Sequence, residues 1–515
     1  MRVTTTATTT AAFVSDDLRI RARVTPDDPC WVMGEQTWTW EEAWLDIQRM
    51  AGALVDAGVR RGDRIGFLHH NHPAVLTAMH AASLIGAADV VLDPRLTSTE
   101  LARILADADV RVLFVRHDLT PSVEALGDSA PACVVVGGPA DELRGLIDSG
   151  TALDQQTDVT PDDPCLVIYS SGTTGRPKGI VLTQHNMLVH TRNALTDVDC
   201  GPSDRMLLSN VMFHSCALFA AASGTAGIVL PDLMPDSLLD ALDSGLTHAF
   251  LTPGAIGRLE AAGLLDRFSR LELVAYGSAP MPPKRIRAAM AAWPQTVFVH
   301  VYGMTECVAV LTALGDAEHR DPAHPGRRYS CGRPVDGVEM RVIDPVSGTD
   351  VAAGDSGELW FRTEQTMAGY LGNRADTVEV IDEGGWIRTG DIGHADDGGY
   401  VYIEDRLKDL ILVNGWSVSP AEVESVLTDH PAILEAAVIG IPDEQLGEEV
   451  KALVVTRPGQ IIRTDELVEF CRHRLAEHKV PTSIDVVASL PHNTLGKVLK
   501  RALREPYWAA SGRRV

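Results

Sequence analysis

The sequence predicts an α/β protein: a large N-terminal domain of two parallel, helix-flanked sheets plus a small β subdomain, followed by an α+β C-terminal domain. As far as about residue 330, short apolar runs alternate with helical patterns, which is the rhythm of a parallel sheet. From about 330 to 404, short strands are separated by Gly and Asp turns. A charged segment at 404–409 precedes a new series of elements, and 515 residues exceed one ordinary core.

The first part of the chain repeats strand and helix units. The pattern predicts a strand at 64–68, a helix at 73–84 and a strand at 88–92. Ser98 or Thr99 is the expected cap of a helix that runs to residue 105. The further strands expected in this domain are 110–115, 206–208, 226–230, 248–252 and 273–276.

The pattern of predicted elements changes in the second part of the chain. The small β subdomain is expected to contain strands 339–343, 357–362 and 399–403. In the C-terminal domain, Ser419 is the expected cap of a helix with Pro420 in its first turn and Glu422 three residues after the cap. The remaining expected elements are strands 436–441, 450–455 and 484–487 and a helix at 465–477.

Charge and cysteine usage limit the class of protein. The net charge of −25 argues against general nucleic-acid binding and against stable association with an anionic membrane. The eight cysteines are scattered without a Cys-x-x-Cys pair, as expected for free thiols in the cytoplasm. Residues 1–14 are predicted to be a disordered tail, and no apolar run has the length of a transmembrane helix.

Residues 169–179, Tyr-Ser-Ser-Gly-Thr-Thr-Gly-Arg-Pro-Lys-Gly, have the composition of a phosphate-binding loop. Glycine allows the backbone to approach an anion closely, so consecutive N–H groups can point toward it. Hydroxyl groups add donors, and Lys178 adds a positive charge. The loop lacks the Gly-Lys-Ser/Thr of a Walker sequence, so we expect a different kind of phosphate cradle.

Other motifs supply a metal ligand, a sugar contact and a mobile lysine. Glu306, in Tyr-Gly-Met-Thr-Glu, is a candidate Mg²⁺ ligand, because a carboxylate beside phosphates needs a cation between them. Asp391 follows a glycine turn and could accept hydrogen bonds from both ribose hydroxyls. Arg406 lies between the two domains, and Lys497 follows a flexible Asn-Thr-Leu-Gly turn near the C-terminus.

Taken together, these motifs resemble those of the adenylate-forming enzymes, which include acyl- and aryl-CoA synthetases, luciferase and the adenylation domains of peptide synthetases. The resemblance covers roughly residues 15–505, with the motifs in the family's order and spacing. It implies an AMP-forming ligase that uses ATP, Mg²⁺ and CoA. It further implies that a carboxylic acid attacks the α-phosphorus of ATP and that the acyl-adenylate then reacts with a thiol.

The resemblance also implies a role for each site residue. Lys497 would be catalytic, together with Thr305 and Glu306, and Glu306 and Thr174 would hold the metal. The residues implied to bind ATP or AMP are Ser170, Ser171, Gly172, Thr173, Thr174, Gly175, Lys178, Gly277, Ser278, Ala279, Tyr302, Gly303, Asp391 and Arg406.

In relatives the C-terminal domain rotates about a residue two positions after the arginine, which is Lys408 in this chain. The implied boundaries are an adenylation domain at 15–404, a hinge at 405–409 and a mobile domain at 410–515. Rotation would withdraw Lys497 and present Gly415 and Trp416 to the thiol acceptor.

The acyl pocket is implied to contain six residues: Phe213, His214, Ala217, Gly277, Gly303 and Met304. The two glycines place no side chain at a pocket wall, which favours a site open to a chain or ring. Relatives often have glycine where this chain has Ala217, so long-chain substrates are in doubt. Oligomeric state is left open between monomer and homodimer.

Two alternatives stay open. One is an adenylating enzyme that passes the acyl group to a carrier-protein thiol or another nucleophile. The other is an inactive sensor of nucleotide or acyl groups, which the retained Lys497, Glu306, Asp391 and Arg406 disfavour. The run His69-His70-Asn71-His72 could hold zinc, but it has no nearby Cys or carboxylate in sequence, and an ordinary polar loop is preferred.

Overall fold

The structure is a computed structural model that describes residues 11–139, 141–156, 158–171, 177–195, 198–209, 212–279, 281–413, 416–443, 447–492 and 498–508. Its contacts divide the chain into two compact units. The first consists of Met1–Glu339 and Phe361–Ile387, and the second of Met340–Trp360 and Arg388–Val515. The expected hinge at 405–409 stays a prediction, because this division says nothing about motion.

Helices of the first unit are α1 (Asp16–Val24), α2 (Trp40–Asp56), α3 (Pro73–Leu84), α4 (Ser98–Ala108), α5 (Thr120–Glu124), α6 (Leu143–Ser149), α7 (Gln184–Leu195), α8 (Phe213–Ser223), α9 (Pro235–Asp243), α10 (Pro253–Ala261), α11 (Pro283–Ala292), α12 (Asp316–His319) and α13 (Arg374–Val380). Every residue of α3 is buried, as its apolar composition on all faces requires. Among the described residues, none of the helices combines the length and apolar composition that crossing a bilayer requires.

One sheet of the first unit has seven strands in the order β18-β8-β7-β4-β3-β5-β6. Its strands are β3 (Arg64–Leu68), β4 (Ala88–Leu92), β5 (Val110–Arg116), β6 (Ala132–Val136), β7 (Pro164–Ser171), β8 (Pro177–Thr183) and β18 (Gly369–Tyr370). The five strands from β7 to β6 are parallel to their neighbours, whereas β8 and β18 extend the sheet antiparallel.

The other sheet of the first unit has nine strands in the order β15-β14-β13-β12-β11-β9-β10-β1-β2. They are β1 (Pro29–Met33), β2 (Gln36–Thr39), β9 (Arg205–Leu208), β10 (Ala226–Val229), β11 (His248–Leu251), β12 (Leu273–Tyr276), β13 (Val297–Tyr302), β14 (Thr312–Leu314) and β15 (Arg333–Pro334). Its central strands are parallel, and β2, β14 and β15 pair antiparallel at the two edges.

The second unit contains a four-stranded sheet, β16-β17-β19-β20, and a five-stranded sheet in which β22-β21-β24-β23 are joined by β25 on β24. The strands are β16 (Glu339–Ile343), β17 (Gly357–Arg362), β19 (Ile387–Ala395), β20 (Val401–Arg406), β21 (Ile411–Val413), β22 (Trp416–Val418), β23 (Ile433–Asp443), β24 (Gly447–Thr456) and β25 (Ser483–Val486). The helices are α14 (Pro420–Asp429), α15 (Thr464–Arg472) and α16 (Lys500–Trp508).

The predicted α/β class is confirmed, with one correction to the sheets. Both large sheets are mixed, because hairpins such as β7–β8 and β13–β14 add antiparallel strands to a parallel centre. The α4 cap is Thr97, not Ser98 or Thr99, and Thr97 forms a capping box with Glu100. The helix expected at 465–477 ends at Arg472, and β20 is placed at Val401–Arg406 instead of 399–403.

Candidate active site

The predicted phosphate loop joins two antiparallel strands. β7 ends at Ser171 and β8 begins at Pro177, and the register pairs Ser170 with Lys178 and Ser171 with Pro177. The loop therefore belongs to a hairpin, unlike the strand-to-helix loop of a Walker site. Four of the predicted phosphate-binding residues lie outside the described part of the chain: Gly172, Thr173, Thr174 and Gly175.

Lys178 stands at the start of β8 in contact with a carboxylate and an aromatic ring. Its Nζ is 2.6 Å from Oδ2 of Asp376 on α13 and 4.8 Å from the ring centre of Tyr370. The Lys178 and Asp376 side chains are 14% and 25% exposed, so the pair is partly shielded from water. The lysine thus contacts two residues of the first unit that lie about 190 positions later in the chain.

Glu306 is held by the same tyrosine. It lies in a short 3₁₀ turn, Thr305–Cys307, just after β13, and its Oε1 accepts a hydrogen bond of 3.0 Å from the Tyr370 hydroxyl. The Met367 amide donates to the Glu306 carbonyl at 2.7 Å. Burial raises the pKa of the Tyr370 phenol, and the Glu306 carboxylate adds to this increase.

The Tyr370 contacts bring together two motifs that are 128 residues apart in sequence, Lys178 and Glu306. The strand β18 carries Tyr370 and pairs with β8, where Tyr370 lies opposite Ile180. We call Lys178, Glu306, Tyr370 and Asp376 the charged cluster. Its Glu306 suits Mg²⁺, which is usually held by one or two carboxylates together with substrate phosphates. Among the described residues there is no group of three or more His, Cys, Asp or Glu side chains that could hold a metal ion.

The predicted adenine segment follows β12. Ser278 has φ of +68°, a conformation that residues with a side chain rarely adopt, and Ala279 is half-buried. Upstream, the Tyr276 hydroxyl is 2.8 Å from Nε2 of His319, whose Nδ1 is 2.6 Å from the Gly315 carbonyl. Because that carbonyl can only accept, Nδ1 carries the proton and Tyr276 donates to Nε2. The segment is therefore anchored at its start by a buried hydrogen-bond chain.

Gly277 and Gly303 are expected to leave open space at a pocket wall. In the structure, the space that a side chain would fill at either glycine is already occupied by neighbouring backbone. A Cβ on Gly277 would lie 2.3 Å from the Val301 carbonyl oxygen, and one on Gly303 would lie 1.8 Å from the Ala309 carbonyl oxygen. Both glycines thus allow close approach of neighbouring backbone. Whether they line an acyl pocket on another side stays a prediction.

Phe213, His214 and Ala217 lie in the first turns of α8, and all three are buried. The Phe213 and His214 rings meet edge to face with centres 5.3 Å apart. Nε2 of His214 is 3.8 Å from Oδ2 of Asp89 on β4. Tyr302, Met304 and Thr305 are half-buried in and after β13.

In the second unit, Asp391 and Arg406 are opposite each other on the antiparallel strands β19 and β20. Arg406 Nε lies 2.6 Å from Asp391 Oδ1, and the Asp391 amide donates to the Thr389 hydroxyl at 3.0 Å. Asp391 is 4% exposed, whereas the Arg406 side chain is 37% exposed. The two predicted ribose ligands are therefore adjacent.

Several predicted residues cannot be placed. Lys497 and Gly415 lie outside the described residues, and only the backbone is described for Lys408, Trp416, Ser170 and Ser171. Cys307 is fully buried, and burial raises the pKa of its thiol to about 12, as expected for an unreactive cysteine. In the histidine run, His72 caps α3 by accepting from the Ala74 amide, and His69 contacts the His70 carbonyl.

Asp89, Tyr370 and Asp376 were missed by sequence reasoning. Tyr370 and Asp376 belong to no recognised motif, and their contacts connect distant parts of the chain. Asp89 did carry a signal, since it is the only charged residue in the apolar strand Ala-Asp-Val-Val-Leu.

Comparison with known proteins identifies similar families and structures. Residues 18–371 match the model of the AMP-binding enzyme family, and residues 422–497 match the AMP-binding enzyme C-terminal domain. The chain is 34% identical over 506 residues to the fatty acid–[acyl-carrier-protein] ligase ScoC of Streptomyces coeruleorubidus, covering 95% of both chains. It is also 34% identical over 500 residues to a feruloyl-CoA synthase of Amycolatopsis sp, covering 95% of this chain and 97% of the relative.

Among solved structures, ATP-bound MatB from Rhodopseudomonas palustris superposes with a TM-score of 0.87 at 26% identity. The match covers 96% of this chain and 99% of MatB. Sequence and structural similarity therefore agree over nearly the whole chain.

Proposed function

The chain belongs to the AMP-binding enzyme family, and we propose that it activates a carboxylic acid with ATP and transfers the acyl group to CoA. It is an AMP-forming acid–thiol ligase with ATP, Mg²⁺ and CoA as its cofactors. In the first step a carboxylate oxygen bonds to the α-phosphorus of ATP and pyrophosphate leaves. In the second a thiolate bonds to the acyl carbon and AMP leaves.

The observation that carries this proposal is the charged cluster. Lys178, at the end of the glycine–threonine hairpin, and Glu306, after the neighbouring sheet's strand β13, both contact Tyr370. A cation and a metal-ligating carboxylate at one place suit a triphosphate with its Mg²⁺. Lys178 would bind the β- and γ-phosphates, and Glu306, with Thr174, would hold Mg²⁺, which neutralises charge on the phosphate oxygens when bound.

The other roles follow from the matched motifs. Ser170, Ser171, Gly172, Thr173 and Gly175 would donate to phosphate oxygens. Gly277, Ser278, Ala279, Tyr302 and Gly303 would seat adenine, and Asp391 and Arg406 would bind ribose. Asp391 is suited to this because its carboxylate is fixed by Arg406 at 2.6 Å. Thr305 would assist Glu306 near the phosphates.

Lys497 is the proposed catalytic lysine. A mobile domain at 410–515, turning about Lys408 in a 405–409 hinge, would deliver it for adenylation. The same domain would then present Gly415 and Trp416 to the thiol. The family match at 422–497, which ends on this lysine, supports the assignment.

For the acid, we propose a compact or ring-containing chain. Ala217 is 4% exposed and lies one turn after His214, so its methyl group occupies space where a glycine would leave room. The similar proteins act on different acids by name, fatty acids for ScoC and a feruloyl group for the synthase. Phe213, His214, Gly277, Gly303 and Met304 would complete the acyl pocket.

A second acceptor deserves a direct test, because ScoC is by name a ligase for an acyl-carrier protein. A carrier-protein thiol would react by the same second step as CoA. We further propose that the enzyme works in the cytoplasm without stable membrane association or nucleic-acid binding, as a monomer or homodimer.

The test is ATP–pyrophosphate exchange with a panel of aliphatic and aromatic acids, followed by product analysis with CoA or a carrier protein. Exchange with at least one acid and formation of its CoA thioester are expected. Exchange without formation of a CoA thioester would mean that the acceptor is a carrier protein or another nucleophile instead of CoA. No exchange with any acid would contradict adenylation altogether.

The role of Lys497 predicts a separation of the two half-reactions. Lys497→Ala should lower adenylation by at least about 10²-fold, because a transition-state charge contact is lost. Thioester formation from synthetic acyl-adenylate should largely survive. Lys479→Ala, which removes a lysine paired with Glu422 in the same unit, is the control. Equal loss in both half-reactions would refute the assigned role.

A further inference from the structure

Asp89 is a buried carboxyl group that makes no hydrogen bond of good geometry among the described residues, although the Val90 amide lies near enough to counter part of the rise in pKa that burial causes. It lies on β4 with 0% of its surface exposed, and neither of its carboxyl oxygens makes a hydrogen bond of good geometry to any described residue. A buried polar group that is left unsatisfied costs about 1–3 kcal/mol. Such a group needs an explanation, and its position beside the predicted acyl pocket provides one.

The group that Asp89 faces is the His214 ring. Nε2 of His214, also buried and unpartnered among the described residues, is 3.8 Å from Asp89 Oδ2. This is an ion-pair distance and too long for a hydrogen bond, so the two groups are neighbours that are not bonded in this structure. Because Nε2 faces the carboxyl group, a ligand hydrogen-bonded to this ring would have to use Nδ1.

Burial suppresses charge on both partners. It raises the pKa of Asp89 to about 8, although the Val90 amide acts in the opposite direction, and it lowers the pKa of His214 to about 4. The pair is therefore a carboxylic acid beside a neutral imidazole at pH 7. The other titratable groups that face it are Cys165 on β7, against Asp89, and His80 on α3, against His214.

Neither neighbour brings a charge near neutral pH. Burial and the nearby Asp89 raise the pKa of the Cys165 thiol, so it stays protonated. Burial lowers the pKa of His80 to about 3, and its Nδ1 is 3.0 Å from the Ser15 hydroxyl. Of these groups, only Asp89 has a pKa close enough to neutral for its proton to be released near pH 8.

We propose that Asp89 is a positioning residue for acid binding, which acts by giving its proton to His214 when the substrate carboxylate arrives. The Asp89 O–H bond breaks and an N–H bond forms at Nε2, so the pair keeps its net charge. The imidazolium then donates from Nδ1 to the anionic acid, with the Asp89 carboxylate behind it. This inference rests on the proposed function, in which His214 lines the acyl site.

The proposal explains why an unsatisfied acid is kept in an apolar strand. A permanently charged His214 would have to be desolvated in the free enzyme. A proton that moves only when the acid binds supplies a charge-assisted hydrogen bond, which is roughly twice as strong as a neutral one. Asp89 therefore favours the carboxylate form of the substrate.

The pH dependence has a definite sign. Below a pH of about 8, Asp89 holds the proton that His214 will receive, and above it the free enzyme loses that proton. The value of kcat/KM for the acid should therefore fall as the pH rises through about 8. In Asp89→Asn no proton is available to His214 above a pH of about 4, so the profile should be flat between roughly 6 and 9.

The experiment compares wild type, Asp89→Asn and His190→Gln in pyrophosphate exchange across this pH range. His190 is a matched control, because it is a buried histidine of α7 with an unpartnered Nδ1 and burial lowers its pKa to about 4. Asn retains the shape of Asp89 and a donor for Nε2. We expect KM for the acid to rise about tenfold at pH 7 in Asp89→Asn, from loss of charge assistance.

Other parameters should stay nearly constant. KM for ATP and the rate at saturating acid should stay within about twofold of wild type, a split that general loss of packing would not produce. An unchanged acid KM, or a decline above pH 8 that persists in Asp89→Asn, would overturn the proposal. Absence of exchange in the wild-type enzyme would instead contradict the proposed function. If Asp89→Asn fails to fold, calorimetry of acid binding to wild type at pH 7 and 9 decides, with one proton taken up from solvent expected only at pH 9.

Discussion

The charged cluster and the Asp89–His214 pair are two places proposed to bind an anion, and they hold their ionisable groups in opposite ways before it binds. In the charged cluster, Lys178 meets Asp376 at 2.6 Å and Glu306 accepts from Tyr370 at 3.0 Å, so each charged group has a protein partner before any ligand binds. In the pair, burial keeps both groups neutral and unbonded. Both lie in the first unit.

The two sites would therefore receive an anion in different ways. In the charged cluster, a triphosphate with Mg²⁺ can replace protein partners that are already charged, so binding exchanges one set of contacts for another. In the pair, no charge is present to be exchanged, and it has to be created by a proton shift. The first arrangement is stable without ligand, whereas the second lowers stability until the ligand arrives.

The largest effect is expected from removing the carboxylate of the charged cluster. Glu306→Gln keeps the hydrogen bond from Tyr370 but removes the negative charge that would hold Mg²⁺ beside the phosphates. Pyrophosphate exchange should fall by at least about 10²-fold. A titration of exchange rate against Mg²⁺ should show that high metal concentration restores part of the loss.

Glu364→Gln is the control, because Glu364 is an exposed glutamate of the same unit with a side chain 76% accessible. An exchange rate equal to that of wild type in Glu306→Gln would show that the carboxylate has no role in metal binding. The charged cluster would then not be the proposed binding site for a triphosphate with Mg²⁺.

Sequence reasoning predicted the α/β class and many element boundaries, since these depend on local pattern. The strands Arg64–Leu68, Ala88–Leu92 and Leu273–Tyr276 and the helix Pro73–Leu84 agree to the residue. Hydroxyl residues at 97–99 left the α4 cap ambiguous, and Glu100 decides it by pairing with Thr97.

The partners of the predicted site residues could not be found in this way. Lys178 and Asp376 are separated by 198 positions, and only the pairing of β18 with β8 brings Tyr370 to them. The expectation of open space at Gly277 and Gly303 could not be checked from the sequence either, because local sequence does not reveal which neighbouring backbone approaches a glycine.

Tyr370→Phe should produce the next largest effect. It removes the hydroxyl that donates to Glu306 Oε1 but keeps the ring beside Lys178. Outer-shell partners of metal ligands typically contribute about 10-fold or more to metal affinity, so the Mg²⁺ concentration for half-maximal exchange should rise roughly 10-fold. Tyr329→Phe, an exposed tyrosine bonded to Arg287, is the control. An unchanged Mg²⁺ requirement would mean that Glu306 is oriented by other contacts.

Asp376→Asn should have a smaller effect in the favourable direction. Asp376 competes with phosphate for Lys178, and a partly exposed ion pair contributes about 1 kcal/mol, so KM for ATP should fall by about fivefold. Steady-state exchange at several ATP concentrations measures this. Asp109→Asn, which breaks an exposed pair with Arg64, should leave KM unchanged. A higher KM in Asp376→Asn would mean that Asp376 orients Lys178 for binding instead of competing for it.

The last effect concerns stability instead of activity, and it separates the pair from the charged cluster most directly. Asp89 has an ordinary pKa near 4 when unfolded and about 8 when folded, so the folded state keeps a proton that the unfolded state releases. Wild-type stability should therefore decrease as pH rises from about 4 to about 8, by at most about 1.4 kcal/mol per pH unit, and this loss is absent in Asp89→Asn. The difference in Tm between the variant and wild type should grow in favour of the variant by roughly 2 °C for each pH unit between pH 6 and 8, measured on the unfolding of the first unit.

Ser83→Ala is the control, because it removes a buried hydroxyl that is also unpartnered among the described residues but does not titrate, and it should change Tm equally at all pH values. Parallel curves for wild type and Asp89→Asn would mean that Asp89 is already ionised at pH 6, and the contrast between a charge exchanged and a charge created would then fail.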